Sequence, residues 1–229
     1  PFVVDTAQHH DELLAGQIYR DLGMAPPDLL LPGPGDLRDA ARLDAMVRAL
    51  DAALAQMRPD AVLVFGDTDS TLAGALAAHA HGIPIVHVEA GVRSGDALMP
   101  EERNRIAVDK IASLRLCTSD RAAQALRVEG LADGNVVVGD LMADLVARLA
   151  PTARGTASLD AAALRIGRPL SSGGFAYATL HRADVRESTR LRAALDVLRV
   201  SAEHLGVPVI FAAHPGTSVA IAAHNIDVP

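Results

Sequence analysis

Short apolar runs recur along this chain, each followed by a longer stretch with helical spacing, and that alternation restricts the fold more than any other feature. Ala61-Val62-Leu63-Val64-Phe65 is apolar at every position, and Ile83-Pro84-Ile85-Val86-His87-Val88 nearly so. Both runs are too short for helices and lack the every-second-residue pattern of a half-exposed strand. A strand that is apolar on both faces has to be covered on both faces, and strand–helix–strand repetition achieves this with a parallel sheet. The sequence therefore predicts an α/β fold with Rossmann-like parallel sheets.

Strands are expected at 2–4, 61–65, 83–88, around Leu116, and at 135–138, 175–180 and 207–212. Helices are expected over 11–22, 37–57, 70–81, 101–112, 119–128, 141–149, 188–205 and 218–224. Leu43, Val47, Leu50 and Leu54 keep one face of the second helix by steps of three and four. Ser70 or Asp69 is the expected cap of the third helix, and Ser119 that of the fifth. The pattern weakens between Pro151 and Gly174, where Pro, Gly and Ser gather near Arg168. A domain boundary is placed there, giving a first domain over 1–165 and part of a second over 166–229.

Composition excludes several classes. The net charge is −7, which argues against a nucleic-acid binder with its usual basic face. The single Cys117 rules out an internal disulfide framework and favours a reducing, cytoplasmic setting. Its surroundings, Leu114-Arg115-Leu116-Cys117-Thr118, read as a buried strand and a core thiol. No apolar run approaches the ~20 residues that span a bilayer, and no secretory leader is visible. The chain opens on Pro1-Phe2-Val3-Val4 without Met and stops at Val228-Pro229, so both ends are expected to be cut.

In open parallel sheets ligands bind beyond the carboxyl ends of the strands. The residues found there are Gly66-Asp67-Thr68, Glu89-Ala90-Gly91, His181-Arg182 and His214-Pro215. Asp67 reads equally as a helix cap. Glu89 has no evident structural task. Glu101 and Glu102, after Pro100, suit the first turn of a helix through its dipole. His79, His81 and His87 lack partners at zinc-type spacing, so no metal site is expected. Gly33-Pro34-Gly35 and Ser172-Gly173-Gly174 fit neither a P-loop nor a dinucleotide fingerprint, and no NAD site is expected.

Taken together, three segments resemble the non-hydrolysing UDP-N-acetylglucosamine 2-epimerases. They are Val64-Phe65-Gly66-Asp67-Thr68-Asp69-Ser70-Thr71, Gly82-Ile83-Pro84-Ile85-Val86-His87-Val88-Glu89-Ala90-Gly91-Val92-Arg93 and Pro100-Glu101-Glu102-Arg103-Asn104-Arg105. Thr6-Ala7-Gln8-His9, Thr179-Leu180-His181-Arg182 and His214-Pro215-Gly216-Thr217 are weaker matches. The chain departs from the family at Ala7, usually Gly, at Gly216, usually Arg, and after Arg182, where Ala183-Asp184 replaces the usual pattern.

The resemblance implies the two-domain glycosyltransferase-B architecture and interconversion of UDP-N-acetylglucosamine and UDP-N-acetylmannosamine by loss and re-addition of UDP. It implies no cofactor and a homodimer. It carries the catalytic roles onto Asp67, Glu89, Glu101 and His181, and substrate contacts onto Gln8, His9, Arg93, Arg105, Arg182 and His214. It also implies that residues 1–229 alone are inactive. A hydrolysing epimerase, a glycosyltransferase of the same architecture and a non-catalytic nucleotide-sugar-binding module are the alternatives.

Overall fold

The computed structural model describes residues 1–8, 16–35, 37, 39–153, 159–161, 163–164, 167, 169–171, 173–180 and 187–228. They divide into two compact units, Pro1–Leu145 and Val146–Pro229. This division falls earlier in the chain than the change in composition near Arg168.

In the first unit, β1 (Val4–Asp5) pairs with β2 (Leu29–Leu30), and α1 (Gln17–Asp21) lies between them in sequence. A four-stranded sheet follows, in spatial order β3 (Val62–Phe65), β4 (Ile85–Ala90), β5 (Leu114–Cys117) and β6 (Asn135–Val137). All these pairings are parallel. The connections are helical, as parallel neighbours require. They are α3 (Asp69–Ala80), α4 (Pro100–Ile111) and α5 (Asp120–Val128), with α2 (Asp39–Met57) before β3; α6 (Leu141–Ala153) follows β6 and runs across the division between the units. The second unit pairs β7 (Ala176–Leu180) with β8 (Val209–Ala213), again parallel, and adds α7 (Ser188–Leu205) and α8 (Pro215–Ala223).

The core follows the sequence pattern in α2 and α3 but not throughout β3, where Val64 is buried while Leu63 and Phe65, expected to be covered as well, are exposed. Met46, Leu50 and Leu54 of α2 and Ala73, Ala75, Ala77 and Ala78 of α3 are buried with Val64, Ile85 and Val108. Alanine on α3 lets the helix lie close to the sheet, and at Gly74 a Cβ would stand 3.1 Å from Val64 Cγ1. A second cluster joins Ala90 and Cys117 to Ala122, Ala123 and Leu126 of α5. Burying a side chain such as Leu126 contributes about 1.5–3 kcal/mol. The second unit has its own cluster of Leu191, Leu195, Ala220 and Ile226.

Helix starts are set by side chains that accept free N–H groups. Ser119 caps α5, accepting from Ala122 N–H at 3.3 Å, as the sequence predicts. The cap of α3 is Thr68, not Ser70 or Asp69, and it accepts from Thr71 N–H at 3.4 Å. The two expected caps are engaged elsewhere: Ser70 with Gln8, and Asp69 with Arg42 and Asn104. The last helix begins at Pro215 rather than Ser218. Proline suits the first helical position because its missing N–H would have no helical partner there.

Candidate active site

At the carboxyl edge of the four-stranded sheet, two neighbouring strand ends deliver two carboxylates to one cation. Asp67 follows β3 and Glu89 lies at the end of β4. Arg105 Nη2 of α4 bonds Asp67 Oδ2 at 2.7 Å and Glu89 Oε1 at 3.1 Å. The guanidinium is nearly buried, at 9% side-chain exposure. Its Nε is buried and makes no hydrogen bond among the described residues. Asp67 is thus not a helix cap: Thr68 has that task, and the carboxylate is turned to Arg105.

Glu89 is aimed by an irregularity in the strand. The β4–β5 register shifts between Val88 and Ala90, and Glu89 takes a left-handed backbone with φ 68°. A bulge of this kind re-directs a side chain that regular pleating would send elsewhere. For a residue with a Cβ that conformation costs about 1–3 kcal/mol and persists only where its surroundings impose it. The next turn residue, Gly91, has φ 76°, and a Cβ there would stand 2.4 Å from the Ala122 carbonyl oxygen. Only glycine lets this turn pass so close to α5.

One helix face brings the remaining groups together. Glu101, Arg105 and Asp109 recur every fourth residue, which places them in one stripe along α4. The stripe runs from exposed Glu101 through Arg105 to fully buried Asp109. No hydrogen bond or ion pair ties Glu101 to another described residue. Asn104, one turn on, donates to the Asp67 carbonyl and to Asp69 Oδ1, both at 3.0 Å. The start of α4 is thereby fastened to the β3–α3 turn.

Other expected site residues have structural partners. Gln8 Oε1 accepts from Ser70 N–H at 2.8 Å and from Ser70 Oγ at 2.6 Å, tying the chain after β1 to the first turn of α3. Arg93, expected to meet substrate, is committed inside the unit. It is forked onto Glu129 at 2.7 and 2.8 Å, and its Nη2 also reaches Asp109 Oδ2 at 2.8 Å. Burial works against its charge, but the bonds to Glu129 and Asp109 outweigh burial and hold its pKa above the usual value.

In the second unit His214 caps α8, its Nδ1 accepting from Gly216 N–H at 3.1 Å. Thr217 there donates to the Leu180 carbonyl at 2.6 Å, at the end of β7. His9, His181 and Arg182 lie outside the described residues.

Three residues gain roles that the sequence reading did not assign. Glu102 is buried and accepts from Ser94 N–H at 2.8 Å and Gly95 N–H at 3.0 Å, fixing the loop before α4. Burial alone would raise its pKa, but these backbone donors prevail and lower it. His87 and Asp109 are fully buried and bonded to each other at 2.7 Å. Helical position gives no hint of such tasks for Glu102 or Asp109. His87, within an apolar strand, was the one polar break that could have signalled a buried partner. Cys117 is fully buried, and burial, followed by the charge of Asp109, pushes its thiol pKa up. Among the described residues no group of three potential ligands could hold a metal ion, and no helix is long and apolar enough to cross a membrane.

The arrangement places two carboxylates beside one cation at a sheet edge. The sequence profile of a family described as UDP-N-acetylglucosamine 2-epimerase matches residues 1–227. A UDP-2,3-diacetamido-2,3-dideoxy-D-glucuronate 2-epimerase of Pseudomonas aeruginosa is 35% identical over 94% of this chain and 58% of its own length. A UDP-N-acetylglucosamine 2-epimerase of Methanocaldococcus jannaschii is 29% identical over 98% of this chain and 61% of its own length. The crystal structure of UDP-GlcNAc 2-epimerase from that organism, in complex with UDP-GlcNAc and UDP, superimposes with a TM-score of 0.85 and 29% identity. It covers 97% of this chain and 60% of that one. The chain thus spans less than two thirds of the length of these relatives.

Proposed function

The chain belongs to the UDP-N-acetylglucosamine 2-epimerase family, with an α/β fold of the glycosyltransferase-B type, and from that membership we propose that the intact protein inverts C2 of a UDP-linked acetamido sugar. The substrate is UDP-N-acetylglucosamine and the product UDP-N-acetylmannosamine. The observation that carries this reading is the pair Asp67 and Glu89, delivered by adjacent strand ends to the single Arg105.

The C2 proton is not acidic enough for simple removal. A base takes it while the C1–O bond to the β-phosphate breaks, the electron pair leaving with UDP and a C1–C2 double bond forming. A UDP oxygen then re-bonds C1 as a proton is given to C2 on the opposite face. The cycle is balanced without redox chemistry, and it needs an acid–base group on each face. Asp67, Glu89 and Glu101 supply these groups in our reading. The family resemblance assigns His181 and Arg182 to the leaving diphosphate, Gln8, His9 and His214 to substrate binding, and Arg105 to charge balance. The protein acts in the cytoplasm as a homodimer, with no nucleic-acid partner, and the acids belong to a first Rossmann-like domain joined to part of a second.

A second substrate is favoured by one observation: the match to the Pseudomonas aeruginosa enzyme named for UDP-2,3-diacetamido-2,3-dideoxy-D-glucuronate runs over 94% of this chain. Both sugars undergo the same inversion, so one experiment separates them. Each is incubated with the intact protein in heavy water and followed by NMR. Deuterium at C2 with the UDP-sugar retained is expected, and the faster substrate is the physiological class. Free UDP with free sugar would instead mean a hydrolysing enzyme, transfer to an added acceptor a glycosyltransferase, and binding without exchange a non-catalytic module. Glu89→Gln is expected to slow exchange by on the order of 100-fold or more.

A further inference from the structure

Behind the two acids lies a buried polar chain that the acid–base reading leaves unused. His87 Nδ1 is 2.7 Å from Asp109 Oδ1, and its Nε2 is 2.8 Å from the Gly66 carbonyl oxygen. A carbonyl only accepts, so Nε2 carries a hydrogen. The Nδ1–Asp109 contact likewise contains one hydrogen, on the ring or on the carboxyl. The other carboxylate oxygen, Asp109 Oδ2, receives Gly91 N–H at 3.2 Å and Arg93 Nη2 at 2.8 Å. Arg93 continues to Glu129, and Arg115 Nε donates to the Asp109 backbone carbonyl at 2.5 Å.

The two backbone groups held by this chain flank the acids. Gly66 immediately precedes Asp67, and Gly91 follows Glu89 by two residues. Gly66, Glu89 and Gly91 all have left-handed backbones, with φ of 67°, 68° and 76°. Glycine takes this conformation freely, but at Glu89 it persists only where its surroundings impose it.

We propose that the buried His87–Asp109 pair positions Asp67 and Glu89 by holding the turns that present them, His87 through the Gly66 carbonyl and Asp109 through the Gly91 amide. Its catalytic consequence rests on the proposed epimerase reading. The clamp itself does not. An apolar pair of the same volume would leave a half-buried carbonyl and a buried amide without partners.

Two measurements test it. Long-range proton–nitrogen correlation NMR on the wild-type chain reads which ring nitrogens of His87 carry hydrogen. Hydrogen on Nε2 is expected; a bare Nε2 cannot hold Gly66 and overturns the proposal, whatever the protein's reaction. The second is C2 deuterium exchange of UDP-N-acetylglucosamine by intact Asp109→Asn. Its kcat is expected to fall on the order of 10- to 100-fold, with KM changed less than about threefold, because substrate contacts survive. An unchanged kcat in the folded variant overturns the proposal. Should that variant not fold, His87→Gln is compared with His87→Leu. The Gln amide can still donate to Gly66 and is expected to keep kcat about tenfold above the Leu variant; equal values overturn it. Absence of exchange by the wild-type protein counts against the epimerase reading, and the clamp is then decided by the ring hydrogens.

Discussion

Glu102 shows how a single carboxylate in this site differs from its neighbour in the sequence. Glu101 is exposed at the start of α4, whereas Glu102 is enclosed and holds the amides of Ser94 and Gly95. Those donors favour the ionised form in the folded state over the unfolded one, against the opposing effect of burial. The stabilisation is therefore present above the unfolded carboxylate value of about 4.3. It is lost as pH falls through the lower, folded-state value. Glu102→Gln is expected to lower unfolding free energy at neutral pH by about 1–3 kcal/mol in urea titrations. The gap between variant and parent should narrow below about pH 4; a gap independent of pH would contradict the assignment. At this scale the sequence disclosed the position of Asp67 and Glu89 at the carboxyl edge of the sheet, because both come at the ends of apolar runs. It could not disclose that Arg93 is committed, since its partner Glu129 lies 36 residues away. Nor could it separate Glu101 from Glu102, because both suit the positive end of a helix.

Among elements, the strands were the most legible, since a short run apolar on both faces has few alternatives to a covered parallel sheet. The exception was β2. Leu29-Leu30 lies between Pro27 and Pro32, and prolines at such close range read as a loop. The start of α8 is expected at Ser218 but lies at Pro215, which occupies the one helical turn where proline is at ease. The spacing between elements is less legible than their existence. The turn after β4 touches α5 so closely that Gly91 has no room for a methyl group. Gly91→Ala adds a clash to a backbone that disfavours Ala, and is expected to cost about 3 kcal/mol or more. Thermal unfolding measures this, and a melting temperature equal to the parent's would refute the contact.

On the scale of the molecule, each unit encloses its own apolar cluster, and Cys117 is sealed within the first. With one thiol in the chain, it is a built-in reporter of that unit's opening. Native protein is expected to resist a thiol reagent, and to react with one equivalent once urea unfolds residues 1–145. Rapid labelling of the native protein would show that the cluster is not closed. The stripe on α4 bears on how such a molecule can change over generations. Its Glu101, Arg105 and Asp109 reach three depths of the first unit from a single rod, so a one-residue deletion between Glu101 and Arg105 would turn the first by roughly 100° relative to the other two. Point changes can adjust these groups singly. Insertions and deletions within α4 would instead take an acid, a cation and a buried anchor out of their common line.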